Sequence, residues 1–116
     1  MDHRTADIGA ALKISLSGRL DTAGVDAGEA GFRAAILPAA RPTLVDLAAV
    51  SFISSLGVRM LLGVAHALRQ SGAALVLYAA QPLVAESLAR VIGQVIPIVP
   101  DEPAALALLQ ESPPAR

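Results

Sequence analysis

Short, predominantly apolar stretches at Thr43–Leu47, Ala74–Tyr78 and Val95–Val99 alternate along this chain with stretches in helical period. That alternation constrains the fold more than any other feature. Strands that are apolar on both sides are covered on both faces, and strands separated by helices lie parallel in one sheet joined by right-handed crossovers. Between the first two stretches, Gly57–Gln70 carries Val58, Leu61, Leu62, Ala65 and Leu68 on one face and Arg59, His66 and Gln70 on the other, with Ser71-Gly72 as its stop. Pro82–Val91 is a second helix with Val84, Leu88 and Val91 in register, and Asp101 caps a third over Glu102–Gln110.

Ahead of these units, Leu12, Ile14 and Leu16 alternate with Lys13, Ser15 and Ser17, which reads as a half-buried strand ended by Gly18. Arg4–Ile8, with Gly9 in the turn, is its partner, so the sheet is mixed. Thr22–Leu37 is helical and stopped by Pro38, and Gly24 and Gly31, at about 1 kcal/mol each, imply a loose first half. The expectation is an α/β domain with a mixed, mostly parallel central sheet of four to five strands and about four helices. It spans residues 1–111, followed by a disordered Pro-rich tail at 112–116.

Composition removes several classes of function. With no Cys in 116 residues, disulfides, thiolate metal sites and Cys nucleophiles are excluded, and His3 stands without clustered acids, so no metal site and no cofactor are expected. A formal net charge of -1 and few aromatics offer nothing to nucleic acid or to an anionic membrane. The longest clean apolar run, Ala73 to Ala80, is far short of the ~20 residues of a membrane span, and no signal peptide is seen. The reading is a cytoplasmic domain.

The stretch that carries chemistry is Val50-Ser51-Phe52-Ile53-Ser54-Ser55-Leu56-Gly57-Val58, where a strand gives way to the amphipathic helix Gly57–Gln70. A serine at a helix start faces free backbone N–H groups and the positive end of the helix dipole. As a phosphoserine it gains about -1.5 to -2 charges where the backbone favours an anion. The simpler role for Ser54 or Ser55 is a helix cap. A Ser55–His66–Asp46 triad fails, because His66 lies eleven residues farther along the same helix, ~16 Å of rise. No Gly-x-Ser-x-Gly, Walker or Gly-x-Gly-x-x-Gly motif is present. A phospho-aspartate receiver centred on Asp46 is the other possibility. Its Mg²⁺ requires an acidic pair after the first strand, and only Asp2 and Asp7 precede Ser17. A structural Asp46 would accept loop N–H bonds and fix the turn at Ser51–Ser55.

Leu44-Val45-Asp46-Leu47, Val50, Phe52-Ile53, Ser55, Gly57 and Leu61-Leu62 resemble the signature of the STAS domain. That family is named for sulfate transporters and anti-sigma-factor antagonists. Gly18-Arg19-Leu20-Asp21 is similar to its Gly-x-Leu/Ile-Asp corner, and the likeness runs from about Asp7 to Leu109. The resemblance implies an anti-sigma-factor antagonist, a binding module without catalysis. Such a module sequesters an anti-sigma factor with serine kinase activity, is switched off by phosphorylation at Ser55, and is reset by a protein phosphatase. Asp21 matches a family position beside the phosphoacceptor and Asp46 the acid ending the central strand. Ser54 stands where the family has Asp, and Leu56 where it has Ser or Thr, so a local charge is missing and Ser54 is an alternative acceptor. The expected partner surface is Asp21, Ser54, Leu56, Arg59 and Met60, supported by Asp46 and Gly57. Arg59, one turn beyond Ser55, is placed to meet a phosphate or the partner. Within the family the alternative is an accessory subunit of a transporter or of a multi-subunit signalling scaffold.

Overall fold

The computed structural model describes residues 1–111, so the tail expected at 112–116 lies outside the described residues. The elements follow as β1 (Asp2–Ile8), β2 (Ala11–Leu20), α1 (Thr22–Ile36), β3 (Thr43–Ile53), α2 (Ser55–Gln70), β4 (Leu75–Tyr78), α3 (Pro82–Ile92), β5 (Ile98–Val99) and α4 (Glu102–Glu111). One sheet contains all five strands in chain order, with β1 antiparallel to β2 and every later pair parallel. This is the mixed, mostly parallel α/β architecture expected from the alternation.

Strand order decides where the helices go. The chain always steps to the next strand on the same side, and crossovers of one hand that step one way place their helices on one face. Accordingly α1, α2 and α3 share the larger core with one side of the sheet, through Phe32 and Ile36, Val58, Leu61, Val64 and Leu68, and Val84, Leu88 and Ile92. The opposite face carries a smaller core of Ala11, Leu44, Val76 and Tyr78 under Ala105 of α4. The Lys13 ammonium lies 2.8 Å from a Glu102 carboxylate oxygen, which also accepts the Tyr78 hydroxyl at 3.1 Å, pinning the start of α4 to the sheet. Burial, with the nearby Asp46 and Glu102 carboxylates, pushes the Tyr78 hydroxyl up to about 12, so it remains a donor at neutral pH.

Several boundaries differ from expectation. β3 runs to Ile53 rather than stopping at Leu47, because β2 continues to Leu20 and pairs with it along its length. β5 is two residues, not five; Val95 and Ile96 instead donate backbone N–H bonds to the Ile92 carbonyl and close the end of α3. In α3 the buried stripe is Val84, Leu88 and Ile92, leaving Val91 63% exposed. α1 is helical from Thr22 onward, and Gly24 is buried where the helix start passes the Arg19 carbonyl.

Candidate functional site

β2 and β3 finish side by side, with Leu20 paired to Ile53, and both following helices start at that rim. Ser54 occupies the N-cap of α2 in extended conformation. Its N–H and its hydroxyl each donate to the Leu20 carbonyl at 2.9 Å, and its Oγ accepts the Gly57 N–H at 3.4 Å. The hydroxyl of Ser54 is thus committed in both directions. Ser55, the first residue of α2, is exposed, and its hydroxyl has no hydrogen-bond partner among the described residues. Ser54→Ala is expected to cost about 1 kcal/mol, the usual worth of a serine cap, and to lower the melting temperature by roughly 4–8 °C. Thermal unfolding by circular dichroism checks it.

Gly57 keeps the two strand ends and the helix together. A Cβ there would lie 2.8 Å from the Leu20 carbonyl oxygen and 2.8 Å from Ile53 Cγ1, closer than side chains tolerate. Asp21 caps α1 in the same way that Ser54 caps α2, its Oδ1 accepting the Gly24 N–H at 2.8 Å and its Oδ2 the Arg19 Nε–H at 3.1 Å. The Gly24 N–H, and then the Arg19 guanidinium, hold its carboxyl below the ordinary carboxylate range. The Arg19 guanidinium stacks over Phe52, 4.4 Å from the ring centroid, within cation–π distance. Asp21, Arg19, Phe52, Ser54 and Ser55 therefore occupy one rim.

Two expected members leave the site. Met60 is 2% exposed, inside the larger core. The flank of α2 that bears Met60 and Gly63 faces α1, since a Cβ on Gly63 would sit 3.4 Å from Arg33 Nη1. Leu62 takes the outward place instead, half-buried, on the stripe Ser55, Arg59, Leu62, His66. Asp46 does not reach the Ser51–Ser55 turn. It points to the α4 face of the sheet, where Oδ1 accepts the Ala48 N–H at 2.9 Å and Oδ2 the Ser15 hydroxyl at 3.3 Å. It holds the irregularity where the β2–β3 register shifts after Ser15, not the serine site. Leu56 is half-buried against the larger core, and His66 is exposed with its Nε2 3.2 Å from Gln70 Nε2.

The surface beside Ser55 is apolar. Ser55, Val58, Arg59, Leu62 and Val91 line a groove of about 250 Å³ between α2 and α3. Beyond it Leu83 (80% exposed), Ser87 and Val91 form an i, i+4, i+8 stripe on α3, and Phe52 (39% exposed) and Leu83 both line the adjoining cleft. The alternation of buried Val84 and Leu88 with Leu83 and Ser87 was the available signal for this stripe, masked by placing Val91 rather than Ile92 inside. Among the described residues no group of three or more His, Asp or Glu side chains converges, and no helix is long and apolar enough to cross a membrane.

The sequence matches the family described as "Mlab, STAS domain" over residues 3–93. No curated protein sequence matches the chain. Its fold is similar to an anti-sigma factor antagonist from Mycobacterium paratuberculosis, at 20% identity and TM-score 0.82, covering 95% of this chain and 94% of that one. It is also similar to the anti-sigma factor antagonist SpoIIAA in its unphosphorylated form, at 20% identity and TM-score 0.72, covering 97% and 99%. A third likeness is to the murine anion transporter Solute Carrier 26 family member A9, at 14% identity and TM-score 0.76, covering 92% of this chain and 19% of the transporter. With the family match spanning most of the chain, and a serine-bearing helix start packed on a five-stranded mixed sheet, the protein belongs to the STAS domain family.

Proposed function

We propose that residues 1–111 form one cytoplasmic domain acting as an anti-sigma-factor antagonist: a binding module, without catalysis of its own, that sequesters an anti-sigma factor with serine kinase activity. Phosphorylation of Ser55 releases that partner, and a protein phosphatase restores binding. The observation that carries this reading is the division of labour between adjacent serines. Ser54 uses its hydroxyl to cap α2, while Ser55 presents a hydroxyl to solvent beside an apolar groove. In the modification, the Ser55 oxygen takes the γ-phosphoryl group of ATP, ADP leaves, and the hydroxyl proton passes to a base on the kinase.

The partner surface in this reading is Asp21, Ser54, Ser55, Leu56 and Arg59 together with Phe52, Leu62, Leu83 and Val91. Apolar side chains that protrude next to a modifiable hydroxyl suit a desolvated contact, and a phosphate placed there charges it. The solved antagonist named for its unphosphorylated form supports a phosphorylation state for this type of domain. A second reading, an accessory domain of a transporter, is favoured by the fold shared with part of the murine anion transporter.

Intact-mass analysis after incubation with a purified anti-sigma-factor kinase and ATP tests the first reading. One phosphate mapped to Ser55 is expected. No transfer, or transfer to Ser54, overturns it. Stable co-purification with a transporter ATPase in place of a small kinase would favour the second.

A further inference from the structure

Ser55 and Arg59 stand one turn apart on the outward stripe of α2 and line the same groove. The first turn of α2 contains no acidic residue, so no side chain there neutralises the helix start. Nor is Arg59 neutralised. Among the described residues Arg19, Arg33, Arg41 and Arg90 each pair with a carboxylate, and Arg69 donates to the Val95 carbonyl. Arg4 and Arg59 do neither, and of these only Arg59 is at the serine site.

We infer that Arg59 is the intramolecular counter-ion of phosphorylated Ser55, and that phosphorylation works by withdrawing this guanidinium from the partner as well as by adding charge. The inference rests on Ser55 being the phosphoacceptor. An anion at i with a cation at i+4 is the favourable order on a helix, because each charge also meets the helix dipole in its preferred sense. A phosphate dianion offers three strong acceptors, and a guanidinium presents two parallel N–H donors to such a group. Both side chains line the groove that also holds Val58, Leu62 and Val91. In the unmodified chain the same groove is open and carries an uncompensated cation, which suits a partner segment with an apolar face and a carboxylate. Phosphorylation then removes the free cation from that groove as it adds its own charge.

The test needs neither kinase nor partner. Phosphoserine is incorporated at position 55 during translation, and the second ionisation of the phosphate is followed by phosphorus NMR in the wild-type, Arg59→Gln and Arg69→Gln backgrounds. The wild-type midpoint is expected below the usual value of about 6, because Arg59 stabilises the dianion. Arg59→Gln is expected to raise it by about half a pH unit, whereas Arg69→Gln, at the far end of α2, leaves it in place. Melting of the unphosphorylated Arg59→Gln chain is expected to match wild type, which excludes a folding defect. Equal midpoints in the wild-type and Arg59→Gln chains overturn the inference, since the helix dipole alone then accounts for the shift. Because the phosphate is installed without an enzyme, this result is independent of whether a kinase modifies Ser55.

Discussion

Gly24→Ala is expected to destabilise the domain severely, by about 3 kcal/mol or more, at the upper end of what overpacking costs. The added Cβ would lie 2.0 Å from the Arg19 carbonyl oxygen and 3.1 Å from its carbon, and 3.2 Å from the Asp21 carboxylate that caps the helix. The obstacle is backbone, so no side-chain rotation relieves it. Either α1 tilts away from the end of β2 or the Asp21 cap opens, and both loosen the rim that carries Ser54. A loss of this size is a large part of the 5–15 kcal/mol that holds such a domain together. Gly63→Ala provides the opposite sign. Its Cβ would meet only Arg33 Nη1, at 3.4 Å, the mobile end of a long side chain. Replacing that mid-helix glycine is expected to stabilise the protein by roughly 0.5–1 kcal/mol. Urea denaturation of the two variants measures both, and a Gly24→Ala midpoint equal to wild type would refute the close-approach argument.

In the proposed role, Ser55→Asp is expected to weaken binding of an anti-sigma factor by roughly 2–4 kcal/mol, about 30- to 1,000-fold in Kd, while Ser55→Ala stays near wild type. The size follows from where the charge is placed. Ser55 sits at the edge of a surface formed by Leu62, Leu83, Val91 and Phe52, and a partner covering those side chains strips water from the new carboxylate. Fold stability is not expected to fall with it, because a carboxylate in the first turn of a helix is favoured by the dipole. Calorimetric titration with the purified partner, with melting curves alongside, separates the two effects. Equal affinity for wild type, Ser55→Asp and Ser55→Ala would remove Ser55 from the interface.

The order of elements was legible because apolar runs and helical period are local properties of the chain. So was the serine-bearing start of α2, since a strand end, Ser-Ser and Gly57 lie within a few residues of each other. What could not be read locally was which edge of an amphipathic helix faces a neighbour. Met60 and Leu62 flank the same apolar stripe of α2 and look alike in a one-dimensional pattern. The α1 side buries Met60, and the gap toward α3 leaves Leu62 part-exposed beside Val91. The orientation of Asp46 is hidden from a local pattern for a related reason. It precedes the serine segment by only a few residues, but the β2–β3 irregularity and the pleat turn its side chain to the far face, against Ser15.

The assignment of the two hydroxyls also depended on the assembled structure. From the sequence, either Ser54 or Ser55 can cap α2. The choice is made by the Leu20 carbonyl, contributed by a strand that ended thirty-four residues earlier, which takes both the N–H and the hydroxyl of Ser54. By itself, then, the sequence determined an alternating α/β chain with its polar chemistry gathered at one helix start, because periodicity and capping act over a few residues. The tertiary structure alone decided which serine is left facing solvent and which apolar side chains surround it, because burial and hydrogen bonding between distant segments are settled only when β2, β3 and the helices pack together.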